Sequence, residues 1–345
     1  MTNRSITTIS VIGAGAWGTA LARLLAVKGF TVRLWAYERE VVESIEATNR
    51  NSLYLPNVLL PQSLRATHTL SDALTNCELI ILAVPSHVMR TIVSQMQPYL
   101  TDPIPITVAT KGIEEDSCRL MVDVIRSILP SSWHQALTVL TGPSFALEVC
   151  QEKPTTILLA GDQDSLVIRL QQVFMTSQFR VYAGHDMIGA QIGGALKNVM
   201  AIASGIVDGL DLGFNARAAL LTRGLAEMIR LGKEMGANVT TLYGLSGLGD
   251  LVLTCTGSLS RNYSVGLKLG QGLTLDEICS QTPTVAEGIR TTRAATRLAT
   301  RHHVEMPIVQ GIHDVLFEGT SPREAVTSLM NRAAKYENDS GNSLT

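Results

Sequence analysis

The chain has almost no net charge, few aromatic residues and a low share of charged side chains. Its 345 residues carry 28 Lys and Arg against 30 Asp and Glu, a formal net charge of −2. There is thus no basic excess for a nucleic-acid backbone to attract. Charged residues make up 17% and aromatics 5%, while hydrophobic residues reach 46%, which excludes disorder as the main state. The mean hydropathy of +0.20 comes without any apolar run near the roughly 18 residues a membrane span needs. It therefore points to buried strands and Ala-rich packed helices, with no membrane insertion. A polar start, Met1 to Ser10, lacks the charged, apolar and small-residue regions of a leader, so a cytoplasmic location is expected. The five cysteines (Cys77, Cys118, Cys150, Cys255 and Cys279) are far apart and never spaced C-x-x-C, so reduced core thiols are expected rather than disulfides or zinc. The seven histidines form no ligand spacing, His302-His303 reads as a solvated pair, and no metal is expected.

What is present is an alternation. Residues 6–12, 31–35, 79–84, 106–110, 137–140, 155–159 and 179–182 read as strands, several of them continuous apolar runs suited to a sheet covered on both faces. Helical periods lie between them, at 19–28, 88–96 and 120–129 among others. The alternation predicts an α/β fold whose N-terminal part is a Rossmann-type, doubly wound parallel sheet. After about Asp186 no convincing strand remains, and Ala/Gly/Leu-rich helices at 191–207 and 216–235 look buried on much of their circumference. Three capping-box patterns, Thr274 with Glu277, Thr284 with Glu287 and Ser321 with Glu324, mark later helix starts. The expected organisation is a dinucleotide-binding domain over 1–188, an all-helical substrate domain over 189–335 and a frayed tail over 336–345.

Ile9-Ser10-Val11-Ile12 leads into Gly13-Ala14-Gly15-Ala16-Trp17-Gly18 and then a helix, which is G-x-G-x-x-G in its strand–loop–helix setting. Gly13 allows the tight turn, Gly15 lets a pyrophosphate reach the backbone, and Gly18 permits close helix–strand packing; the helix N-terminus supplies free N–H groups. The plain alternative is a Gly-rich turn kept for packing. At the end of the second strand, Tyr37-Glu38-Arg39 offers both an acid and a base, so the choice between NAD and NADP stays open. The later strand ends, Val84-Pro85-Ser86-His87 and Thr110-Lys111-Gly112, should rim the same crevice.

Lys197 lies in an apolar helical stretch crowded by small residues, where an unpaired ammonium is costly and its pKa would fall. A proton donor for ketone reduction fits there, although a lysine reaching out to solvent is the commoner fate. Asp250, in Gly247-Leu248-Gly249-Asp250-Leu251, could partner Lys197 or simply cap the helix that follows. Lys111 could meet a phosphate or a carbonyl, or be an ordinary surface lysine. Ser260-Arg261-Asn262 opens a helix where N–H groups, a guanidinium and an amide would converge on a phosphate, or where Ser260 merely caps an exposed start.

Gly142-Pro143-Ser144-Phe145-Ala146, Gly193 to Asn198, Asn215-Ala216-Arg217, Thr222 to Met228, Gly247 to Leu251, Ser260-Arg261-Asn262 and Val285-Ala286-Glu287-Gly288 together resemble the bacterial-type NAD(P)-dependent sn-glycerol-3-phosphate dehydrogenases. The resemblance runs in order from Gly13 to about Arg332. It implies reversible reduction of dihydroxyacetone phosphate to sn-glycerol 3-phosphate for phospholipid synthesis, by a homodimer. It further implies Lys197, Lys111 and Asp250 as the catalytic group. Substrate contacts follow at Gly142, Ser144, Asn198, Thr254, Ser260, Arg261 and Asn262. Cofactor contacts follow at Gly13, Gly15, Ala16, Trp17, Gly18, Tyr37, Pro85, Lys111, Ala146, Arg261, Val285 and Glu287. Ser144 stands where many relatives have Thr, and Ala16 replaces a Ser, which leaves only a backbone contact there. Two other readings compete: a 3-hydroxyacid dehydrogenase, disfavoured by Arg261-Asn262 as a phosphate clamp, and a dinucleotide-sensing module, disfavoured by the presence of both Lys197 and Asp250.

Overall fold

The computed structural model describes residues 6–280, 286–334 and 336–337. Eight strands form one sheet: β1 (Thr8–Ile12), β2 (Thr31–Trp35), β3 (Leu64–Thr67), β4 (Leu79–Leu82), β5 (Ile106–Val108), β6 (Leu137–Thr141), β7 (Thr155–Gly161) and β8 (Phe179–Gly184). Their spatial order is β3-β2-β1-β4-β5-β6-β7-β8. The first six reproduce the doubly wound arrangement, with the strand order reversing between β1 and β4, where such sheets open a ligand crevice. Alternate residues feed opposite faces. Ile9, Val11, Leu79 and Ile81 pack on one side, and Ile12, Ile80 and Leu82 on the other.

Two features depart from the parallel sheet expected. β7 runs antiparallel to β6, and β8 then pairs parallel with β7. The connection from β6 holds only the five-residue Ala146–Cys150 helix, too short to carry the chain back along the sheet, so the chain returns beside the strand it left. β3 is an additional edge strand, and Leu64 is its only buried residue.

Beyond β8 the described chain is helical. The Met187–Gly209 helix is enclosed on nearly all sides. It is long and apolar enough by length and composition to cross a membrane, yet its whole apolar window is buried inside the protein. Glycines let its neighbours in: a Cβ at Gly193 would stand 2.3 Å from the Ser246 carbonyl oxygen. The Gly213–Glu234 helix, expected to be buried around much of its girth, is open along its first half. Phe214 is 80% exposed, and burial begins only near Gly224. Ile113, Cys118 and Leu120, from the segment after β5, pack into the core of the helical part. Cys118, Cys150 and Cys255 are buried and unpaired as expected, but Cys77 is half-buried and Cys279 exposed.

Candidate active site

The nucleotide loop follows from β1. Gly13 has φ +113°, and a Cβ there would meet the Ala83 and Val84 backbone at 2.7–2.8 Å, so glycine is required for β1 and β4 to approach. Gly15 is different: a Cβ built on it meets nothing within 4 Å. That open space faces the first turn of the Ala16–Val27 helix, where Gly15 is the N-cap and Ala16, Trp17 and Gly18 follow. First-turn N–H groups have no intrahelical partner, and the buried Trp17 Nε1 has none either. A dinucleotide pyrophosphate fits this cradle. Tyr37, just past β2, is 80% exposed, while Glu38 accepts a hydrogen bond from the Tyr54 hydroxyl at 2.9 Å. Burial and that carboxylate push the Tyr54 phenol up to about 12, opposed by the nearby Arg261 charge, so this loop faces the start of the Arg261–Gly270 helix.

Three charged side chains from three different elements meet at the other end of the crevice. Lys197, from the middle of the long buried helix, donates to Asp250 Oδ1 at 2.6 Å and to Thr254 Oγ1 at 2.8 Å. Lys111, just past β5, donates to Asp250 Oδ2 at 2.6 Å and to the Gly142 carbonyl at 3.0 Å. Asp250 is fully buried and follows a π-helical turn, Leu245–Gly249, whose close approach depends on Gly193. Gly249, not Asp250, stands at the cap of the Asp250–Thr256 helix, so the local capping alternative is overturned. Burial pushes the Lys197 ammonium down to about 8, the Lys111 charge acts in the same sense, and Asp250 opposes both. An amine so placed can give and take a proton near neutral pH.

Around this cluster, Gly142 turns with φ +143° and its carbonyl also accepts from the Ser144 hydroxyl at 3.0 Å, with Ala146 opening the next helix. Ser260 caps the Arg261–Gly270 helix by accepting from Tyr263 N, which leaves the Arg261 and Asn262 N–H groups ahead of the first intrahelical bond. Arg261 is exposed. The Asn262 amide, expected to face a phosphate, turns inward: it donates to Asn198 Oδ1 and accepts from Gly288 N, both at 2.9 Å. It ties three helices together because a buried amide needs partners on both sides. The Thr284–Glu287 capping pattern falls partly on residues outside those described; Glu287 itself opens its helix after the Ala286 cap, and its carboxylate accepts from Ser86 N at 2.9 Å and Ser86 Oγ at 2.5 Å. Val285 and Thr284 lie outside the described residues. The other two capping boxes form. Pro85 is exposed at the end of β4. Among the described residues no cluster of three or more His, Cys, Asp or Glu side chains is placed to hold a metal ion.

Family models of the NAD-dependent glycerol-3-phosphate dehydrogenase N-terminus and C-terminus match residues 8–167 and 186–327. The chain belongs to this family. A glycerol-3-phosphate dehydrogenase (NAD(P)+) of Geobacter sulfurreducens is 50% identical over 329 residues, covering 95% of this chain and 98% of that protein. One from Citrifermentans bemidjiense is 49% identical over the same shares. The crystal structure of glycerol-3-phosphate dehydrogenase from Coxiella burnetii is 41% identical with a TM-score of 0.91, covering 95% of this chain and 99% of that one. The chain is thus an oxidoreductase of a nicotinamide-dependent family acting on a CH–OH group.

Sequence reasoning placed Ser86 on the crevice rim without a partner and passed over Tyr54. Ser86 follows Pro85 at a strand end, which is a signal for crevice residues in such sheets. Tyr54 sits in a segment with no periodicity to place it.

Proposed function

We propose that the chain catalyses the reversible NAD(P)H-dependent reduction of dihydroxyacetone phosphate to sn-glycerol 3-phosphate, with Lys197 as the proton donor. The observation that carries this reading is the pair of lysines held by one buried carboxylate beside the strand ends of a dinucleotide crevice. The bound nicotinamide supplies the hydride. Gly13, Gly15, Ala16, Trp17 and Gly18 hold its pyrophosphate end, with Tyr37, Pro85, Ala146, Arg261, Val285 and Glu287 as further contacts.

The substrate phosphate is held at the Ser260–Arg261–Asn262 helix start by free N–H groups and the Arg261 guanidinium, a charge-assisted clamp. Asn262 contributes its backbone, since its side chain is committed to Asn198 and Gly288. Gly142, Ser144 and Asn198 shape the wall between phosphate and nicotinamide. Two of the three Lys197 hydrogens go to Asp250 and Thr254, which leaves one for a substrate oxygen. As the carbonyl oxygen gains charge, Lys197 gives it that proton and Lys111 stabilises it as a fixed cation. Asp250 keeps both ammonium groups oriented and compensated. In the oxidising direction neutral Lys197 takes the hydroxyl proton.

The reaction supplies the backbone of glycerophospholipids, and we place the enzyme in the cytoplasm as a homodimer. The exposed Phe214, with Ala218 and Ala219 exposed further along the same helix, offers such a dimer a surface. Purified protein should oxidise NADH or NADPH with dihydroxyacetone phosphate and leave unphosphorylated dihydroxyacetone untouched. No turnover with either cofactor would overturn the proposal.

A further inference from the structure

The Glu287–Arg301 helix touches the ends of two strands at once. Its first residue accepts both hydrogen bonds from Ser86, which follows β4 and is 1% exposed. Further along, Arg293 reaches the Glu115 carboxylate at 3.2 Å, Arg290 reaches it at 3.7 Å, and Arg297 donates to the Glu115 carbonyl at 2.9 Å. Glu115 follows β5 in the same segment as Lys111. Gly112 lies between these two anchors. A Cβ on it would stand 2.5 Å from Ser86 Cβ and 3.1 Å from Glu287 Oε2, so the Lys111–Gly112 backbone rests directly on the Ser86–Glu287 pair. On its far side the segment is closed by the Ile113–Leu120 bridge and buried in the helical core.

Lys111 therefore stands just past a strand of the sheet but is held from both sides by a helix of the other domain. Single exposed ion pairs contribute little. Here Ser86 itself is buried, its link to Glu287 is part-buried, and the two anchors hold one short stretch of backbone. We propose that Ser86 and Glu115 are positioning residues that act through Lys111. By gripping both, the Glu287–Arg301 helix fixes where the Lys111 ammonium stands against Asp250 and Lys197. Misplacing a reacting group by about 1 Å costs up to roughly a hundredfold in rate, so the grip has a kinetic consequence.

The inference rests on the reading above that Lys111 meets the substrate. It is tested by a double-mutant cycle: Ser86→Ala and Glu115→Gln, each made in the wild-type and Lys111→Ala backgrounds, with kcat and KM for dihydroxyacetone phosphate measured over pH. Ser86→Ala should lower kcat about tenfold in the wild type and less than about twofold once Lys111 is gone. In the wild-type background it should also move the alkaline limb of kcat/KM upward, because the charge of Lys111 no longer holds Lys197 down as firmly. Equal losses in both backgrounds, no loss in either, or an unmoved limb would overturn the inference. Wild-type activity in Lys111→Ala would instead remove the functional reading beneath it. Should Ser86→Ala fail to fold, Glu115→Gln carries the same cycle with the same expected pattern.

Discussion

Lys197 Nζ and Asp250 Oδ1 lie 2.6 Å apart across a sequence separation of 53 residues, inside a site where Asp250 has no exposure at all. A buried carboxylate between two ammonium groups does two things. It compensates charges that would otherwise be stranded, and it opposes the burial that lowers the Lys197 pKa. Asp250→Asn should therefore destabilise the protein by about 3–5 kcal/mol in urea unfolding, the usual cost of breaking a buried pair. It should also move the alkaline limb of the reduction rate below its wild-type position near 8. A limb that moves upward would mean Asp250 does not hold the proton on Lys197.

The nucleotide loop separates folding from binding in two neighbouring glycines. Gly13→Ala meets backbone at 2.7 Å and a φ that L residues rarely adopt, so it should lower the unfolding midpoint. Gly15→Ala meets nothing in the protein. Its midpoint should stay close to wild type while affinity for NADH, read by fluorescence titration, falls at least about tenfold, equivalent to about 1.4 kcal/mol. Undiminished NADH affinity in Gly15→Ala would argue that the space beside Gly15 is not where the pyrophosphate sits.

Arg261 and Asn262 are adjacent yet should respond differently. Arg261 is exposed, so Arg261→Ala should raise KM for dihydroxyacetone phosphate with little effect on stability. Asn262→Ala strands the Gly288 N–H and the Asn198 carbonyl, each a buried group, and should cost about 1–3 kcal/mol of stability. If Arg261→Ala changed only NADPH affinity, the phosphate assignment would fail.

Glu227, on the Gly213–Glu234 helix, is almost fully buried and accepts from Ile308 N at 2.7 Å and Val309 N at 3.2 Å at the start of the Pro307–Phe317 helix. Burial pushes its carboxyl up from 4.5 to about 7, outweighing those N–H groups and the nearby Arg230. A carboxyl raised on folding contributes stability that is fully present below its unfolded value and is lost as pH rises through its folded value. Glu227→Gln cannot titrate, so between pH 5 and 8 it should gain on the wild type by up to about 3 kcal/mol. A pH-independent difference between the two urea midpoints would contradict this.

What was legible in the sequence was local. The run Ile9 to Ile12 followed by Gly13-x-Gly15-x-x-Gly18 announced a strand, a turn and a helix because each is dictated by neighbours in the chain. The all-helical second half was legible for the same reason. β3 was not, since Leu-Arg-Ala-Thr at a sheet edge buries one side chain and leaves no alternation to detect. Nor was the reversal at β7, which depends on how far a five-residue helix can carry the chain. In the site, the residue types were readable, and Lys197 stood as a partner for Asp250, but the choice between partners was not. Asp250 read equally as a helix cap, and Glu287 as part of a capping box. Their true partners, Lys197 and Ser86, lie 53 and 201 residues away and are brought near only by packing of the helical part against the sheet. Asn262 misled for the same reason, its amide being claimed by helices that sequence cannot align.

The pH dependence of kcat/KM in both directions tests the central claim most directly, because it reports the free enzyme's acid and base. With Lys197 as the single proton carrier, kcat/KM for dihydroxyacetone phosphate should be level at low pH and fall above about 8. For sn-glycerol 3-phosphate it should rise to a plateau through the same value, and Lys197→Ala should lose at least roughly 100-fold in kcat with both limbs abolished. Limbs that persist unchanged in Lys197→Ala would contradict the account.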